Sequence, residues 1–336
     1  MVTQPPISDK ILPALKAPGA GNDTDLELID GGLQCVQTGE TFMDANGVPS
    51  LFAPTDPNAD QTDVTTRIKS FYEEYPFPNY DGLQEFGDLV NLGYSSQFSK
   101  DLLRAIGSKK LILECGCGTG QLSHFLQLNN NQVLGIDMSL GSLGLAVEHK
   151  QRNQLARSSF AQMNIFSLAV KDESMDVVIS HGVLHHTFDA RRAFMQIIKK
   201  VKPGGIVVVG LYNSISRIPT WVRSKFINVL GSNIDYVVRN HFRDARKADI
   251  WVKDQYFNPH ETWHSIDEVM DWFKEGGIEY RNCRPAIMGT NGEDLPGMFD
   301  KSLPGSKYQR IVTQLSWLTS IAREGTLFDV IGRKPE

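Results

Sequence analysis

The stretch LILECGCGTG, residues 111–120, decides the fold. Leu111, Ile112 and Leu113 make a short apolar run suited to a buried strand, and the run ends at Glu114. Gly116, Gly118 and Gly120 follow at alternate positions, and helical spacing begins at Leu122, Phe125 and Leu126. A strand, a glycine turn and a helix in that order let a ligand approach the backbone closely. A tight strand-to-helix turn is the simpler reading of a lone glycine loop. Two acids favour the ligand reading. Glu114 ends the first strand, and Asp137 ends the next one, Val133 to Ile136, 17 residues after Gly120. A carboxylate there can accept charge-assisted hydrogen bonds from both hydroxyls of a ribose.

Working outward, strands and helices alternate. Ser159 to Asn164, Asp176 to Ser180 and Ile206 to Leu211 read as strands three to five, the last following a Lys202–Gly205 turn. Leu140, Leu143 and Val147 mark one intervening helix, and Ala193, Phe194, Ile197, Ile198 and Val201 another. The alternation implies an α/β fold, a doubly wound parallel sheet with helices on both faces. Further on, Ser265 caps a helix ended by Gly276-Gly277. A strand at 278–284, a long helix marked by Ile311, Leu315 and Ala322, and a closing strand at 327–331 complete the order.

The motifs LILECGCGTG (111–120), VLGID (133–137), QMN (162–164), MDVVISHGVLHH (175–186) and VKPGGIVVVGLYN (201–213) together resemble the class I S-adenosylmethionine-dependent methyltransferases. The resemblance covers Leu111 to Asn213 and implies a seven-stranded, mostly parallel, Rossmann-like sheet whose last strand is antiparallel. It implies S-adenosylmethionine as cofactor, lying over the carboxyl ends of the first strands. The carried-over roles place Gly116, Cys117, Gly118, Thr119, Gly120 and Gln121 along its methionine and ribose part. Glu114 would hold its amine, Asp137 its ribose hydroxyls and Met138 its adenine face. Asn164, where many relatives carry Asp, would accept from the adenine amino group with Ile165 beside it. His181 and Gly182 would contribute backbone near the amine. CGTGQ with IDMSLGSL also resembles a subgroup some of whose members are fused to tetratricopeptide repeats, and no such repeat occurs here. The G-x-G-x-G spacing differs from the G-x-G-x-x-G of dinucleotide binders, which sets a dehydrogenase last among the readings.

Catalytic candidates are His185 and His186, at the carboxyl end of the fourth strand, where an imidazole titrating near neutrality suits a general base. A loop brace is the competing reading for both. Substrate-side candidates are Tyr72, Tyr75, Tyr212, Asn213 and His260. Tyr72 and Tyr75 belong to an aromatic string with Phe71, Phe77 and Tyr80 that reads either as a lid or as core packing. His260 lies in the polar, aromatic stretch 254–264, the end of an insertion at 214–264. Arg239, Arg243, Arg246 and Lys247, interleaved with Asp244 and Asp249, read as a solvated helix face.

About 110 residues precede the fold. Residues 1–23, with four prolines and no period, read as a mobile arm. Residues 24–53 read as small hairpins with turns at Gly31-Gly32 and Asn46-Gly47, and Pro54 to Asp63 as a linker. The division is an arm and β extension at 1–66, an aromatic helical connector at 67–110 and the methyltransferase domain at 111–336. LQCVQTGETFMDANGVPSLF (33–52) resembles part of a zinc-ribbon-like module found before some methyltransferase domains. With only Cys35 present the four-cysteine site cannot form, and no metal site is expected.

Net charge is −5, which argues against a protein that binds nucleic acid chiefly by neutralising phosphates. No apolar run approaches the ~18 residues of a membrane span. Met1 to Ala20 lacks the pattern of a secretory signal, and four scattered cysteines make no disulfide framework, so a reducing, cytoplasmic setting is expected. The expected function is methyl transfer from S-adenosylmethionine to an N, O, S or C nucleophile of a small metabolite. Methylation of protein amines is the alternative, and a non-catalytic cofactor-binding partner module the further one.

Overall fold

The computed structural model describes residues 5–45, 47–53, 59–241, 244–289, 297–320 and 326–336. Four short strands, β1 (Leu26–Ile29), β2 (Gly32–Cys35), β3 (Thr41–Ala45) and β4 (Val48–Pro49), form an antiparallel meander. The expected hairpins are therefore present; Asn46 lies outside the described residues. Three helices follow: α1 (Ala59–Glu74), α2 (Phe86–Ser95) and α3 (Gln97–Ile106). The expected linker is helical from Ala59 onward, while Pro54 to Asn58 lie outside the described residues.

The main domain then alternates as expected: β5 (Leu111–Cys115), α4 (Gln121–Leu126), β6 (Gln132–Asp137), α5 (Leu140–Arg152), β7 (Ser158–Gln162), β8 (Met175–His181), α6 (Ala190–Ile197) and β9 (Val201–Tyr212). The insertion folds as α7 (Ile218–Ser224), α8 (Ile227–Leu230), α9 (Tyr236–His241) and α10 (Ala245–Tyr256). The chain closes with α11 (Ile266–Glu275), β10 (Glu279–Arg284), α12 (Lys307–Ser316) and β11 (Leu327–Arg333). Ala322, expected in the last helix, lies outside the described residues. Strand order is β10-β11-β9-β8-β5-β6-β7, and β11 runs antiparallel to both neighbours. This is the seven-stranded, mostly parallel sheet that the sequence implied. The Lys202–Gly205 turn is a bulge inside β9: its register with β8 jumps from Met175↔Val201 to Val177↔Ile206.

Local chemistry fixes the helix starts. Ser139 accepts from Ser142 N and caps α5, Ser265 accepts from Glu268 N and caps α11, and Asp189 accepts from Arg192 N and caps α6. Fully buried Leu113, Leu134 and Val178 occupy one face of the sheet, and Ile112, Val133 and Ile179 the other.

The mobile arm expected before residue 24 is not what residues 5–20 form. Ile7, Ile11 and Leu15 are fully buried and join the core that contains Leu134 and Ala169. Ser8 N donates to Ser159 Oγ at 3.0 Å, and Leu15 bridges Val170. Burying three such side chains is worth about 1.5–3 kcal/mol each, enough to hold a segment that has no period of its own. Beyond the meander, Leu51 N donates to Gln162 O at 3.0 Å and Ser50 bridges Gln162, so this extension sits on the outer edge of β7.

Candidate active site

At the carboxyl ends of β5, β6 and β8 lies a cavity of about 500 Å³. That position is where open α/β sheets bind ligands. Glu114, Gly116, Cys117, Gly118, Gln121, Asp137, Met138, Ile165, His181 and Gly182, all cofactor candidates by sequence, line it. Asp137 Oδ2 accepts from Gly118 N and Oδ1 from Ser139 N, each at 2.9 Å. The carboxylate is thereby fixed against the glycine turn, and burial raises its pKa. Glu114 accepts from Ser123 Oγ, and burial pushes its carboxyl up to about 7. His181 stacks on Phe98 at 4.1 Å between ring centres, and its Nδ1 lies 2.7 Å from Asp329 Oδ1. Burial works against its charge, but the Asp329 carboxylate prevails and the pKa is raised.

The segment after α1 is latched onto this turn. Thr119 Oγ1 donates to Pro78 O, Gln121 Nε2 donates to Asn79 O at 2.7 Å, and Tyr80 OH donates to Thr119 O at 2.8 Å. Gly118 has φ +52°, and a Cβ on it would meet the carbonyl oxygen of Phe77. Glu73 clamps the N-terminal turn of α5, accepting from Leu140 N at 2.8 Å and Gly141 N at 2.7 Å. Part of what the sequence presents as ligand-binding glycine is thus room for the chain's own backbone. Thr119 and Gly120 do not line the cavity: Thr119 serves the latch, and a Cβ on Gly120 would strike Phe160 and Ala146.

The other end of the cavity is polar and aromatic. Tyr72, His186 and Tyr212 line it with Trp251, Asp254 and Gln255 of α10. The ring of His186 stands 5.7 Å from that of Tyr212 and 6.3 Å from that of Tyr72. His186 Nδ1 lies 2.9 Å from His260 O. A carbonyl only accepts, so Nδ1 carries the hydrogen and Nε2 the lone pair. Nε2 has no protein partner among the described residues, and burial lowers the pKa of the ring. Asp254 is buried, accepting from Tyr72 OH and Gln255 Nε2 at 3.0 Å each.

The remaining predicted residues are braces. His185 is fully buried against Tyr212, 3.8 Å between ring centres, and lies outside the cavity; burial drives its pKa far down. Tyr75 turns away: its hydroxyl donates to Glu74 and the Lys253 ammonium sits 3.8 Å over its ring. Asn213 is buried, donating to Gln314 Oε1 and accepting from Ile215 N and Ser216 N. His260 acts through its carbonyl and donates from Nε2 to Thr187 O. Asn164 accepts from Phe166 N and donates to Ala53 O, and Met163 and Ile165 face the cavity instead.

Sequence reasoning missed Phe98, Leu92 and Ser99 from α2 and α3, which carry no chemical signature. It also missed Arg217, fully buried, 3.8 Å over the Tyr212 ring and paired with Glu261 and Gln255. Arg217 is the one charged residue between Lys202 and Arg223, which was the available signal.

Comparison with known proteins supplies the chemistry. The chain is 28% identical over 249 residues to an uncharacterised Synechococcus protein, covering 65% of this chain and 59% of that one. It is 30% identical over 161 residues to a ubiquinone biosynthesis O-methyltransferase of Acinetobacter baylyi, 48% of this chain and 62% of that one. With a phosphoethanolamine N-methyltransferase of Caenorhabditis elegans it shares 26% over 207 residues, 57% of this chain and 45% of that one. The chain thus spans about half to three fifths of the length of these curated relatives. A Thermotoga maritima methyltransferase structure superposes with a TM-score of 0.44 at 16% identity, covering 80% of this chain and 99% of that one. The family model described as a methyltransferase domain matches residues 106–277, just over half of the chain and all of the sheet from β5 to β9. The chain belongs to that family, the class I S-adenosylmethionine-dependent methyltransferases.

Proposed function

We propose that the acceptor is a small molecule seated between Tyr72, His186 and Tyr212, and that His186 Nε2 takes its proton. The observation that carries this is the bond from His186 Nδ1 to His260 O, which leaves a neutral ring with its lone pair unpartnered on a cavity residue. The residues at the other end fit the cofactor: each Asp137 oxygen spends one acceptor site on the backbone and keeps a second for a ribose hydroxyl, and Glu114 offers a carboxylate to the amine. Met138 and Ile165 supply apolar surface for the adenine. When bound, S-adenosylmethionine supplies a methyl group on a sulfonium and leaves as the neutral thioether. The chain's own part is alignment and exclusion of water by aromatic walls.

Asp254 favours an amine among possible acceptors. Its buried carboxylate is held by two neutral donors, and among the described residues no cation lies within ion-pair distance. A buried carboxylate in that state attracts a cation. An ammonium acceptor would rest against Asp254, give its proton to His186 Nε2 and present its lone pair to the methyl group. The phosphoethanolamine N-methyltransferase likeness agrees with this reading, while the ubiquinone O-methyltransferase likeness agrees with the small-molecule class alone.

The test is transfer of labelled methyl from the cofactor in a cell extract split into small solutes, proteins and RNA. Label in cationic small solutes is expected. Label confined to protein or RNA would overturn the small-molecule reading, and label in uncharged solutes would remove the amine.

A further inference from the structure

The helices α7 and α8 carry an apolar face that nothing among the described residues covers. Ile218, Trp221, Val222, Phe226, Val229 and Leu230 are between 44% and 82% exposed. They recur at helical spacing across only 13 residues, a density far above the scattered exposed side chains of an ordinary surface. The reverse side is occupied: Arg217 and Thr220 are buried, and Arg223 Nε donates to the Tyr256 hydroxyl of α10. The exposed face is therefore not a misplaced core face awaiting the rest of the fold.

Charge marks what it meets. Between residues 214 and 253 stand eight Lys and Arg against three Asp and no Glu; Arg217 among them is buried against Glu261, and Arg246 and Lys253 pair with Asp81 and Asp249. No acid at all falls between Asp189 and Asp235. Lys225 is exposed within the apolar face, its ammonium 5.2 Å over the Trp221 ring. An apolar surface carrying Trp221 and Phe226, with the Lys225 ammonium among them and no acid from residue 190 to 234, fits the boundary of a bilayer bearing anionic headgroups. None of the described helices is long and apolar enough to cross a membrane, so the contact would be one of lying on the surface.

We infer that α7 and α8 dock the enzyme on an anionic bilayer surface. The docked face backs onto α10, which supplies Trp251, Asp254 and Gln255 to the cavity wall, so the acceptor end of the active site sits beside the membrane. The inference does not depend on the acceptor being an amine.

Flotation of the full chain with vesicles tests it. Binding is expected to mixed phosphatidylcholine and phosphatidylglycerol vesicles, at least about 10-fold tighter than to phosphatidylcholine alone at low salt. The triple variant Trp221→Ser, Phe226→Ser, Leu230→Ser is expected to lose at least about 10-fold in vesicle affinity, since each change removes one apolar anchor, while binding the demethylated cofactor as before. As a check free of variants, brominated lipid should quench the tryptophan fluorescence of the unaltered chain. A chain that binds the demethylated cofactor but ignores both vesicle types overturns the proposal. So does a dimer that the same three substitutions dissolve, because the face would then belong to a second copy.

Discussion

His186 Nδ1 and the carbonyl oxygen of His260 are 2.9 Å apart across 74 residues of sequence. The contact makes the insertion responsible for which nitrogen of His186 holds a proton. His186→Gln removes the acceptor nitrogen and is expected to lower kcat by about 10²–10⁴ with affinity for the demethylated cofactor unchanged. Burial lowers the His186 pKa, so the fall of kcat on acidification should begin below the ordinary imidazole range. A His185→Asn variant that lost as much activity at equal stability would move the role to His185.

Glu114, proposed to hold the cofactor amine, is expected to give cofactor binding a pH dependence. Its carboxyl, raised to about 7 by burial, holds a proton in the empty enzyme at mildly acidic pH, and a cationic amine must displace it. Affinity is therefore expected to fall as pH drops below about 7, approaching 10-fold per unit, and Glu114→Gln should flatten that slope. The stability of the empty enzyme runs the other way. A carboxyl raised on folding stabilises below its ordinary value near 4.5 and loses that contribution as pH rises through about 7. Calorimetric titration and thermal melts across that window check both signs.

Asp137 is tied to the glycine turn through Gly118 N and to the start of α5 through Ser139 N, and its proposed partner is the ribose of the cofactor. Asp137→Ala should weaken binding of the demethylated cofactor by about 1–3 kcal/mol, the scale of a lost hydrogen bond to a charged group. Unchanged affinity in a calorimetric titration would remove Asp137 from the ribose role.

Ile11 is fully buried in the main core although it belongs to the first 23 residues. Ile11→Ala should cost about 2–5 kcal/mol in urea unfolding, whereas a change in a mobile arm would cost nothing measurable.

The sheet was legible because β5, β6, β8 and β9 are largely buried apolar runs and helices such as α6 and α11 carry a 3.6-residue apolar stripe. Glu114 and Asp137 were legible because acids at strand ends have few structural reasons to be there. The polar end of the cavity was legible only in part: Tyr72, His186 and Tyr212 were candidates, whereas Asp254 and Gln255 were not. Tyr72, His186, Tyr212 and Asp254 come together from four separate elements, and the tautomer of His186 depends on a backbone oxygen, which has no letter in the sequence. His185 and His186 were indistinguishable as neighbours; one faces the cavity and the other packs on Tyr212. The N-terminal segment was misread because Ile7, Ile11 and Leu15 bury themselves against residues such as Leu134 and Ala169, not against each other.

The placement of Ser8 against Ser159, Leu15 against Val170 and Leu51 against Gln162 bears on how the chain is made. Ser8, Leu15 and Leu51 leave the ribosome well before their partners, which follow only after more than 100 further residues have been added. Until then β7 has an open outer edge and three isoleucine and leucine side chains remain in water, the condition in which nascent chains pair wrongly or recruit chaperones. A segment synthesised ahead of β7 thus settles only after it, and it closes the edge of the sheet as a clasp.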